Sequence, residues 1–395
     1  MPVDDSRMPG FYKLTVAERR ERVAAAAGLD ESDVAALAAE GELATAVADR
    51  MVENCIGTYS LPVGVATNFK IDGAQYVVPF AVEEASVVAA ASNAAKRCLA
   101  RGGFVSEMDA PVMIGQVEIR GCPHPHEAAA AIVAARKELS TKADAAMASM
   151  VARGGGCRGI EARVVAASDG PRVVAHLLVD CRDAMGANLV NTLCEALSGD
   201  VQALCGGGTV GLRILSNLAT SRLARVRATF TPAELATPTI DGADVVDAIL
   251  AAHGLAAADP YRACTHNKGV MNAISSVAVA TGQDWRAVEA GAHAYCGVGA
   301  TYGPMTAWSK AADGCLEGVL EVPMAVGLVG GAAKVSPGAR ANLKILGVDK
   351  AADLAKVMAA AGLAQNLAAL RALATDGIQK GHMALHARSR GDQGS

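Results

Sequence analysis

Aromatic residues are scarce in this sequence: Phe, Trp and Tyr make up 3% of its 395 residues, although 52% of all residues are hydrophobic. A chain of this length can bury a sizeable core and form two domains. Because few large rings are available, Ala, Val, Leu and Met must fill that core. We therefore expect helices that pack closely through small side chains.

A block of basic residues is also lacking, and the formal net charge is −4. This balance argues against nucleic acid or an anionic membrane as the main partner. The N-terminus has no basic region followed by an apolar one, and no uninterrupted run is long and uncharged enough to span a bilayer. We expect a soluble, cytoplasmic protein.

The ten cysteines contain no C-x-x-C pair, so reduced and mostly buried thiols are expected. Two segments have metal-like spacing: Cys122-Pro-His124-Pro-His126, and His382 with His386 one helical turn further on. Neither segment has the further ligands that would complete a tetrahedral zinc site. We expect no bound metal.

The stretch from residue 53 to residue 96 carries the strongest chemical signal. Two alternating runs meet at Asp72-Gly73, a dipeptide that permits the positive φ angles of a tight β-hairpin. Glu83 and Glu84 follow, at the predicted start of an Ala-rich helix that begins at about Ser86. The helix dipole favours a carboxylate there, whereas apolar neighbours favour the neutral acid. A general acid and a simple helix cap both remain open.

Strand and helix patterns alternate in the middle of the chain as β-α-β-β-α-β, which is the order of the ferredoxin-like fold. The predicted segments are 112–119, 126–150, 160–167, 172–180, 184–197 and 209–216. The predicted fold class is therefore α+β, in which a large helix-rich domain receives a ferredoxin-like insert. The predicted bounds are 1–109 and 217–375 for the large domain, 110–216 for the insert and 376–395 for a C-terminal segment.

Two glycine-containing segments are candidates for nucleotide binding. Residues 206–211 match G-x-G-x-x-G, but a strand-like run follows instead of a helix, so we interpret them as a turn. The sequence DAMGAN at 183–188 is a better candidate, because a strand ends and a helix begins there and Gly186 lets a ligand approach closely. A strand-to-helix turn capped by Asp183 is the structural alternative.

Polar residues in the C-terminal half have simpler structural explanations. Arg262, Lys268 and Asn272 follow an Asp259-Pro260 turn and are expected on a loop that leads into a helix, where a lone Lys is usually a solvated charge. Asp284 precedes a helical run and is expected to be its N-cap.

Several motifs, in one order along nearly the whole chain, resemble those of bacterial class II 3-hydroxy-3-methylglutaryl-CoA (HMG-CoA) reductases. They are ENCIG, LPVGVATNF, VPFAVEEASVVAAASNAAK, DAMGAN, DPYRACTHNKG, TGQDWRAVEAGAHAY, GLVGG and GHMALHAR. The resemblance implies a two-step, four-electron reduction of HMG-CoA to mevalonate and CoA in isoprenoid metabolism, using two NADH or NADPH, or the reverse oxidation. It also implies a dimer-based homo-oligomer, possibly a hexamer, with the active site at the subunit interface.

The resemblance also implies roles for individual residues. Lys268 polarises the reacting carbonyl and Glu84 supplies a proton to the aldehyde. Asp284 is a buried acid that hydrogen-bonds both, and His382 protonates the departing CoA thiolate. The implied cofactor contacts are Asp183, Met185, Gly186 and Asn188. The implied substrate contacts are Ser86, Arg262, Asn272, Asn217 and Asn366, and residues 327–331 and Gln365 are expected near the acyl-CoA site.

The sequence departs from the family pattern in two places. Relatives continue beyond the histidine motif into a C-terminal flap, whereas 13 residues follow His382 here. A non-catalytic homologue that binds acyl-CoA or nucleotide therefore remains an alternative. A purely structural oligomer is disfavoured, because all four implied catalytic residues are present. The position of a ribose-binding Asp in NADH-preferring relatives aligns with Met147, so the choice between NADH and NADPH stays open.

Overall fold

The computed structural model describes residues 2–38, 43–299, 301–375 and 377, which form two compact units. The smaller unit consists of Met108–Leu223 together with Pro323–Leu328. The sequence analysis bounds the insert at 110–216 and assigns 323–328 to the larger domain. The hexapeptide instead joins the smaller unit, because the Leu328 N–H donates to the Asp183 carbonyl at 2.8 Å and the Met324 N–H to the Arg222 carbonyl at 3.0 Å.

The first part of the larger unit contains the predicted hairpin. Its elements are α1 (Val16–Ala27), α2 (Glu31–Ala38), α3 (Thr45–Met51), β1 (Val63–Ile71), β2 (Ala74–Ala81), α4 (Val87–Arg97) and β3 (Phe104–Met108), with 3-10 turns at Phe11–Lys13 and Leu99–Arg101. Asp72 and Gly73 join β1 to β2 with φ angles of 50° and 85°, which confirms the tight turn. Thr15 and Glu18 form the reciprocal capping box that begins α1.

The smaller unit follows in the predicted order of elements. They are β4 (Val112–Arg120), α5 (Pro125–Ala134), α6 (Arg136–Ala146), α7 (Ala148–Val151), β5 (Gly156–Ala167), β6 (Gly170–Asp180), α8 (Ala187–Ala203) and β7 (Thr209–Ser216). The single helix predicted over 126–150 is wrong, because the backbone leaves helical geometry at Ala135 and again at Met147. These breaks keep the apolar side chains of all three short helices in the core of this unit.

The four strands of the smaller unit form one antiparallel sheet in the order β5-β6-β4-β7. This is the strand order of the ferredoxin-like fold, so the predicted fold class is confirmed. Residues 204–208 form a turn that leads into β7, which confirms that the G-x-G-x-x-G match is not a strand-to-helix phosphate loop. Six of the ten cysteines are buried and all are unpaired. Burial raises the pKa of the Cys181 thiol to about 11.

The last part of the chain completes the larger unit. Its elements are β8 (Leu223–Phe230), α9 (Pro232–Leu235), α10 (Gly242–Ala258), α11 (Pro260–Ala280), α12 (Trp285–Tyr295), β9 (Thr306–Lys310), β10 (Leu316–Pro323), α13 (Ala332–Val335), α14 (Pro337–Leu346) and α15 (Ala351–Ala374). The sheet of this unit has the order β2-β1-β3-β8-β10-β9. Helices α4, α10 and α11 pack against α15.

Helix α15 shows how a chain with few aromatic residues builds its core. Its long run of buried residues consists largely of Ala, Leu, Val and Met. Where α15 crosses α11, a Cβ added to Gly362 would lie 2.9 Å from Ile274, so the missing side chain allows the close approach. The expected packing through small residues is present.

The same helix qualifies the expectation that no run could span a bilayer. By length and composition alone α15 is apolar enough to cross a membrane, with a mean hydropathy of 1.3 over its best window. However, 67% of that window is buried inside the protein, as in the central helix of a folded core.

Candidate active site

Glu84 and Lys268, which lie far apart in the sequence, meet in the larger unit. Strand β2 ends at Ala81 and the chain bends through Glu83 and Glu84 before α4. Lys268 extends from α11, and its Nζ donates a hydrogen bond to Glu84 Oε2 at 3.0 Å. The two side chains are 62% and 34% exposed, respectively, so a ligand can reach both. Glu83 is exposed.

Ser86 lies beside this pair in the chain and occupies a turn that most residues avoid. It is the N-cap residue of α4, with φ of 80° in the left-handed region. A serine rarely adopts this conformation without some constraint, and such residues often occur at functional sites. The strained turn holds Ser86 two residues from Glu84, where a substrate-binding residue is expected.

The predicted loop that carries Arg262, Lys268 and Asn272 is wrong, because all three lie on the 21-residue helix α11. Asp259 is its N-cap and accepts hydrogen bonds from the Tyr261 and Arg262 N–H groups. Pro260 occupies the first helical position, where its missing N–H costs nothing. Lys268 and Asn272 are separated by one helical turn and share a face, whereas Arg262 lies on another side of the helix.

Asp284 is the N-cap of α12, as its structural interpretation predicts, and its Oδ1 accepts a hydrogen bond from the Ala287 N–H at 3.1 Å. Its side chain is 45% exposed, and its ion-pair partner among the described residues is Arg286 at 3.8 Å. Lys268 precedes the end of α11 by twelve residues, an axial rise of about 18 Å. The expected contacts of Asp284 with Lys268 and Glu84 therefore do not occur among the described residues of one chain.

The residues before Lys268 face the interior and fix the rotation of α11. Asn267 is fully buried; its Oδ1 accepts from the Met305 N–H and its Nδ2 donates to the Gly303 carbonyl and the Tyr302 hydroxyl. His266 Nε2 lies 2.6 Å from Thr306 Oγ1. Burial, together with Arg262 and His253, lowers the pKa of His266 to about 3, so this imidazole is neutral at physiological pH.

The same buried network contains Asn366, which the sequence analysis assigns to substrate binding. Asn366 is fully buried, and its Oδ1 accepts hydrogen bonds from Thr306 Oγ1 at 3.0 Å and Trp308 Nε1 at 2.9 Å. Its Nδ2 lies 3.1 Å from His266 Nε2. Because protein groups occupy both ends of this carboxamide, Asn366 has a structural role here. Gln365 is buried beside it.

This arrangement predicts that Asn366→Ala lowers the free energy of unfolding by about 2–4 kcal/mol, because buried donors lose their acceptor. Urea titration followed by circular dichroism measures the change. Asn93→Ala, at an exposed position of α4, is the matched control and should have little effect. A raised KM for the acyl substrate at unchanged stability would instead favour direct substrate binding by Asn366.

The DAMGAN segment, residues 183–188, occupies the turn between β6 and α8 in the smaller unit. The N-cap of α8 is Gly186, with φ of 104°, and not Asp183 as the structural alternative proposed. A Cβ at Gly186 would lie 2.5 Å from Cys181 Sγ, so glycine is required for packing as well as for φ. Asn188 is exposed, and Asp183 and Met185 are partly exposed.

This turn has the features that a nicotinamide dinucleotide needs. The N-cap of α8 is a glycine and has no side chain to accept from the N–H groups of the first turn, which suits an anion such as a pyrophosphate. Helix α8 is 17 residues long, and its dipole favours negative charge at that end. The residues present therefore fit the cofactor.

Three further predicted positions can be placed. Met147 is buried in the core of the smaller unit, and its alignment with the ribose-binding Asp of NADH-preferring relatives stays a prediction. Asn217 is exposed on the turn after β7, five residues before Arg222. Gly327, expected near acyl-CoA, lies against the DAMGAN turn, since a Cβ there would be 2.3 Å from the Met185 nitrogen.

His382 and His386 lie outside the residues that the structure describes. Among residues 2–38, 43–299, 301–375 and 377, no group of three His, Cys, Asp or Glu side chains is placed to hold a metal ion. The sequence analysis missed Arg222 and the buried network around Asn267, because both depend on partners that no local motif reveals.

Comparison with known proteins agrees with the motifs. The family model for hydroxymethylglutaryl-coenzyme A reductase matches residues 15–387. The 3-hydroxy-3-methylglutaryl-coenzyme A reductase of Archaeoglobus fulgidus is 51% identical over 384 residues, which are 97% of this chain and 86% of the relative. A probable 3-hydroxy-3-methylglutaryl-coenzyme A reductase of Borreliella burgdorferi is 33% identical over 336 residues, which are 85% of this chain and 76% of the relative.

Solved structures give the same result. The class II 3-hydroxy-3-methylglutaryl-CoA reductase from Streptococcus pneumoniae bound to NADPH superimposes with a TM-score of 0.89 at 37% identity, covering 93% of this chain and 99% of the other. Another structure from the same organism gives a TM-score of 0.90 at 38% identity, covering 96% of this chain and 90% of the other. This chain belongs to the hydroxymethylglutaryl-coenzyme A reductase family.

Proposed function

We propose that this protein is an HMG-CoA reductase that converts 3-hydroxy-3-methylglutaryl-CoA into mevalonate and CoA, or catalyses the reverse oxidation. The observation that carries the proposal is the accessible hydrogen bond of 3.0 Å between Lys268 Nζ and Glu84 Oε2. An ammonium and a carboxyl in contact can stabilise an oxyanion and deliver a proton to it. The family membership supports the choice of substrate.

When bound, NAD(P)H supplies a hydride to the substrate carbonyl carbon, once in each of two steps. Lys268 stabilises the negative charge that develops on the carbonyl oxygen in both steps. After the first step the C–S bond breaks, and His382 gives a proton to the CoA thiolate. In the second step, mevaldehyde accepts the second hydride, and Glu84 gives a proton to the alkoxide that forms. Two hydrides and two protons therefore account for the four-electron reduction.

Substrate positioning is proposed for three side chains of the larger unit. The planar guanidinium of Arg262 suits the free carboxylate of the 3-hydroxy-3-methylglutaryl group. Burial lowers the pKa of Arg262, but an arginine remains charged. Asn272, on the same face of α11 as Lys268, and Ser86, beside Glu84, offer hydrogen bonds to the substrate hydroxyl and carbonyl.

Cofactor binding is proposed for the turn that contains Asp183, Met185, Gly186 and Asn188, whereas Asn217 remains a proposed substrate contact. NADPH is bound in the Streptococcus pneumoniae relative, and we propose NADH or NADPH as the reductant here. The direct test compares the initial rates of absorbance loss for both cofactors with HMG-CoA. HMG-CoA binding without any substrate-dependent loss of absorbance would support the non-catalytic alternative instead.

We propose that the active site is shared between two copies of the chain in a cytoplasmic, dimer-based homo-oligomer such as a dimer or a hexamer. The end of α11 at Ala280 lies about 18 Å in axial rise from Lys268, and Asp284 follows that end by four residues. A lysine side chain spans only a fraction of that distance. In the proposed assembly a second copy brings its Asp284 to the Glu84–Lys268 pair.

This arrangement predicts that two inactive variants complement each other. Lys268→Ala and Asp284→Ala chains should each be inactive alone, yet dissociation and re-association of the mixture should restore about a quarter of wild-type activity, because each heterodimer contains one intact site of its two. Steady-state turnover of HMG-CoA before and after mixing measures the effect. Mixed chains that form heterodimers without recovering activity would place both residues in one subunit's site.

A further inference from the structure

Arg222 is a buried arginine whose guanidinium is held by backbone carbonyls. It is 5% exposed and lies at the end of the turn that follows β7. Nη1 donates to the carbonyls of Ala184 at 3.2 Å and Met185 at 3.1 Å, and Nη2 donates to the carbonyl of Val326. Burial lowers the pKa of Arg222. Because a buried charge is costly unless it is hydrogen-bonded, these contacts define where the guanidinium can lie.

Two of these carbonyls belong to the DAMGAN turn. The planar guanidinium donates in fixed directions, so it constrains the orientation of the peptide groups at Ala184 and Met185. Those peptide groups in turn determine the direction of the Met185 side chain and the entry of the chain into α8. Arg222 lies outside α8, so this constraint is supplied from outside the helix.

The third carbonyl belongs to Pro323–Leu328, which holds the turn from its other side. The Leu328 N–H donates to the Asp183 carbonyl at 2.8 Å, and the Met324 N–H donates to the carbonyl of Arg222 itself at 3.0 Å. A Cβ added at Gly327 would lie 2.3 Å from the Met185 nitrogen, so this glycine permits direct backbone contact. Two segments of the smaller unit, the DAMGAN turn and Pro323–Leu328, thus converge on one guanidinium.

We propose that Arg222 is a positioning residue for the nicotinamide dinucleotide, which fixes the 183–188 turn in its binding geometry with Pro323–Leu328 as the opposing support. This inference rests on the proposed role of that turn in the reductase. Arg222 does not have to touch the cofactor, since it acts through the backbone of Ala184 and Met185. Ligand sites depend on such supporting contacts, which hold the contacting groups in place before the ligand arrives.

The test compares Arg222→Lys and Gly327→Ala with the wild-type enzyme. Lysine keeps the charge but cannot reach three carbonyls in a planar fork, and the alanine methyl displaces the turn from the other side. Both variants should raise the KM for NAD(P)H and the Kd from fluorescence titration with NADPH alone by about tenfold or more, as expected for lost hydrogen bonds from a charged group. The KM for HMG-CoA should change less than about twofold.

Arg371→Lys is the matched control, because Arg371 donates to the backbone carbonyls of Leu235 and Ala236 in the larger unit. It should leave the KM for NAD(P)H unchanged even if thermal stability falls. Unchanged NADPH binding in both test variants, or equal increases in the KM of both substrates, would overturn the inference. If Arg222→Lys does not fold, Gly327→Ala decides the result on its own.

The outcome can be separated from a failure of the proposed function. A wild-type protein that binds NADPH but does not oxidise it with HMG-CoA would refute the reductase activity, while the NADPH titrations would still test Arg222. An active wild-type enzyme whose variants bind NADPH normally would refute only the inference about Arg222.

Discussion

Replacing Lys268 by alanine is expected to lower kcat by about 10²–10³-fold or more for both HMG-CoA reduction and mevaldehyde reduction, because both steps develop an oxyanion. The two half-reactions can be assayed separately by NAD(P)H absorbance, with HMG-CoA or mevaldehyde as the starting substrate. His382→Ala should differ, since it removes only the proton donor to the CoA thiolate and should spare mevaldehyde reduction. If His382→Ala lowered kcat equally in both assays, the result would contradict this division of roles.

Lys310→Ala is a matched control for the loss of one positive charge in Lys268→Ala. Lys310 also lies in the larger unit and forms an ion pair with an acid, with Nζ 2.6 Å from Asp247 Oδ1. Lys310→Ala removes one positive charge and one surface ion pair, which contributes little to stability. Its activity should match that of the wild type. A comparable loss in Lys310→Ala would mean that Lys268→Ala acts through folding or net charge.

Replacing Glu84 by glutamine is expected to lower the rate of mevaldehyde reduction by about 10²–10⁴-fold, because the amide keeps the shape of the side chain but cannot hold a transferable acidic proton. The hydrogen bond from Lys268 can persist to the amide oxygen, so binding of the substrates should change much less than turnover. Steady-state kinetics at saturating cofactor separates the two quantities.

Glu83→Gln is the control that the sequence itself provides. The two adjacent glutamates are chemically identical, yet Lys268 contacts Glu84 while Glu83 is exposed. Glu83→Gln should therefore retain nearly full activity. A larger loss from Glu83→Gln than from Glu84→Gln would reverse the assignment of the proton donor.

Local sequence signals predicted much of the fold, because they encode interactions between close neighbours. The Asp72-Gly73 turn and the alternating strands of the insert follow from backbone preferences and residue periodicity alone. The start of α11 is wrongly predicted as a loop, even though the signal for a helix start is local. Asp259 followed by Pro260 can begin a helix as readily as a loop, and packing of α11 in the core decides between them.

The roles of Asn366 and Arg222 could not be predicted in this way. Each depends on partners more than thirty residues away in the chain: Asn366 meets Thr306 and His266, and Arg222 meets Met185 and Val326. A carboxamide in an apolar helix has the same sequence signature whether it faces a ligand or a buried tryptophan. The breaks of the predicted long helix at Ala135 and Met147 likewise contain no Gly or Pro and are set by packing against the sheet.

The return of the chain through Pro323–Leu328 has a practical consequence for protein dissection. A gene fragment that encodes only 108–223 would produce the four-stranded sheet without the hexapeptide that holds the 183–188 turn, the proposed nucleotide site. Such an excised piece should need the missing residues appended by a designed linker, or supplied as a synthetic peptide, before it can bind nucleotide with native affinity.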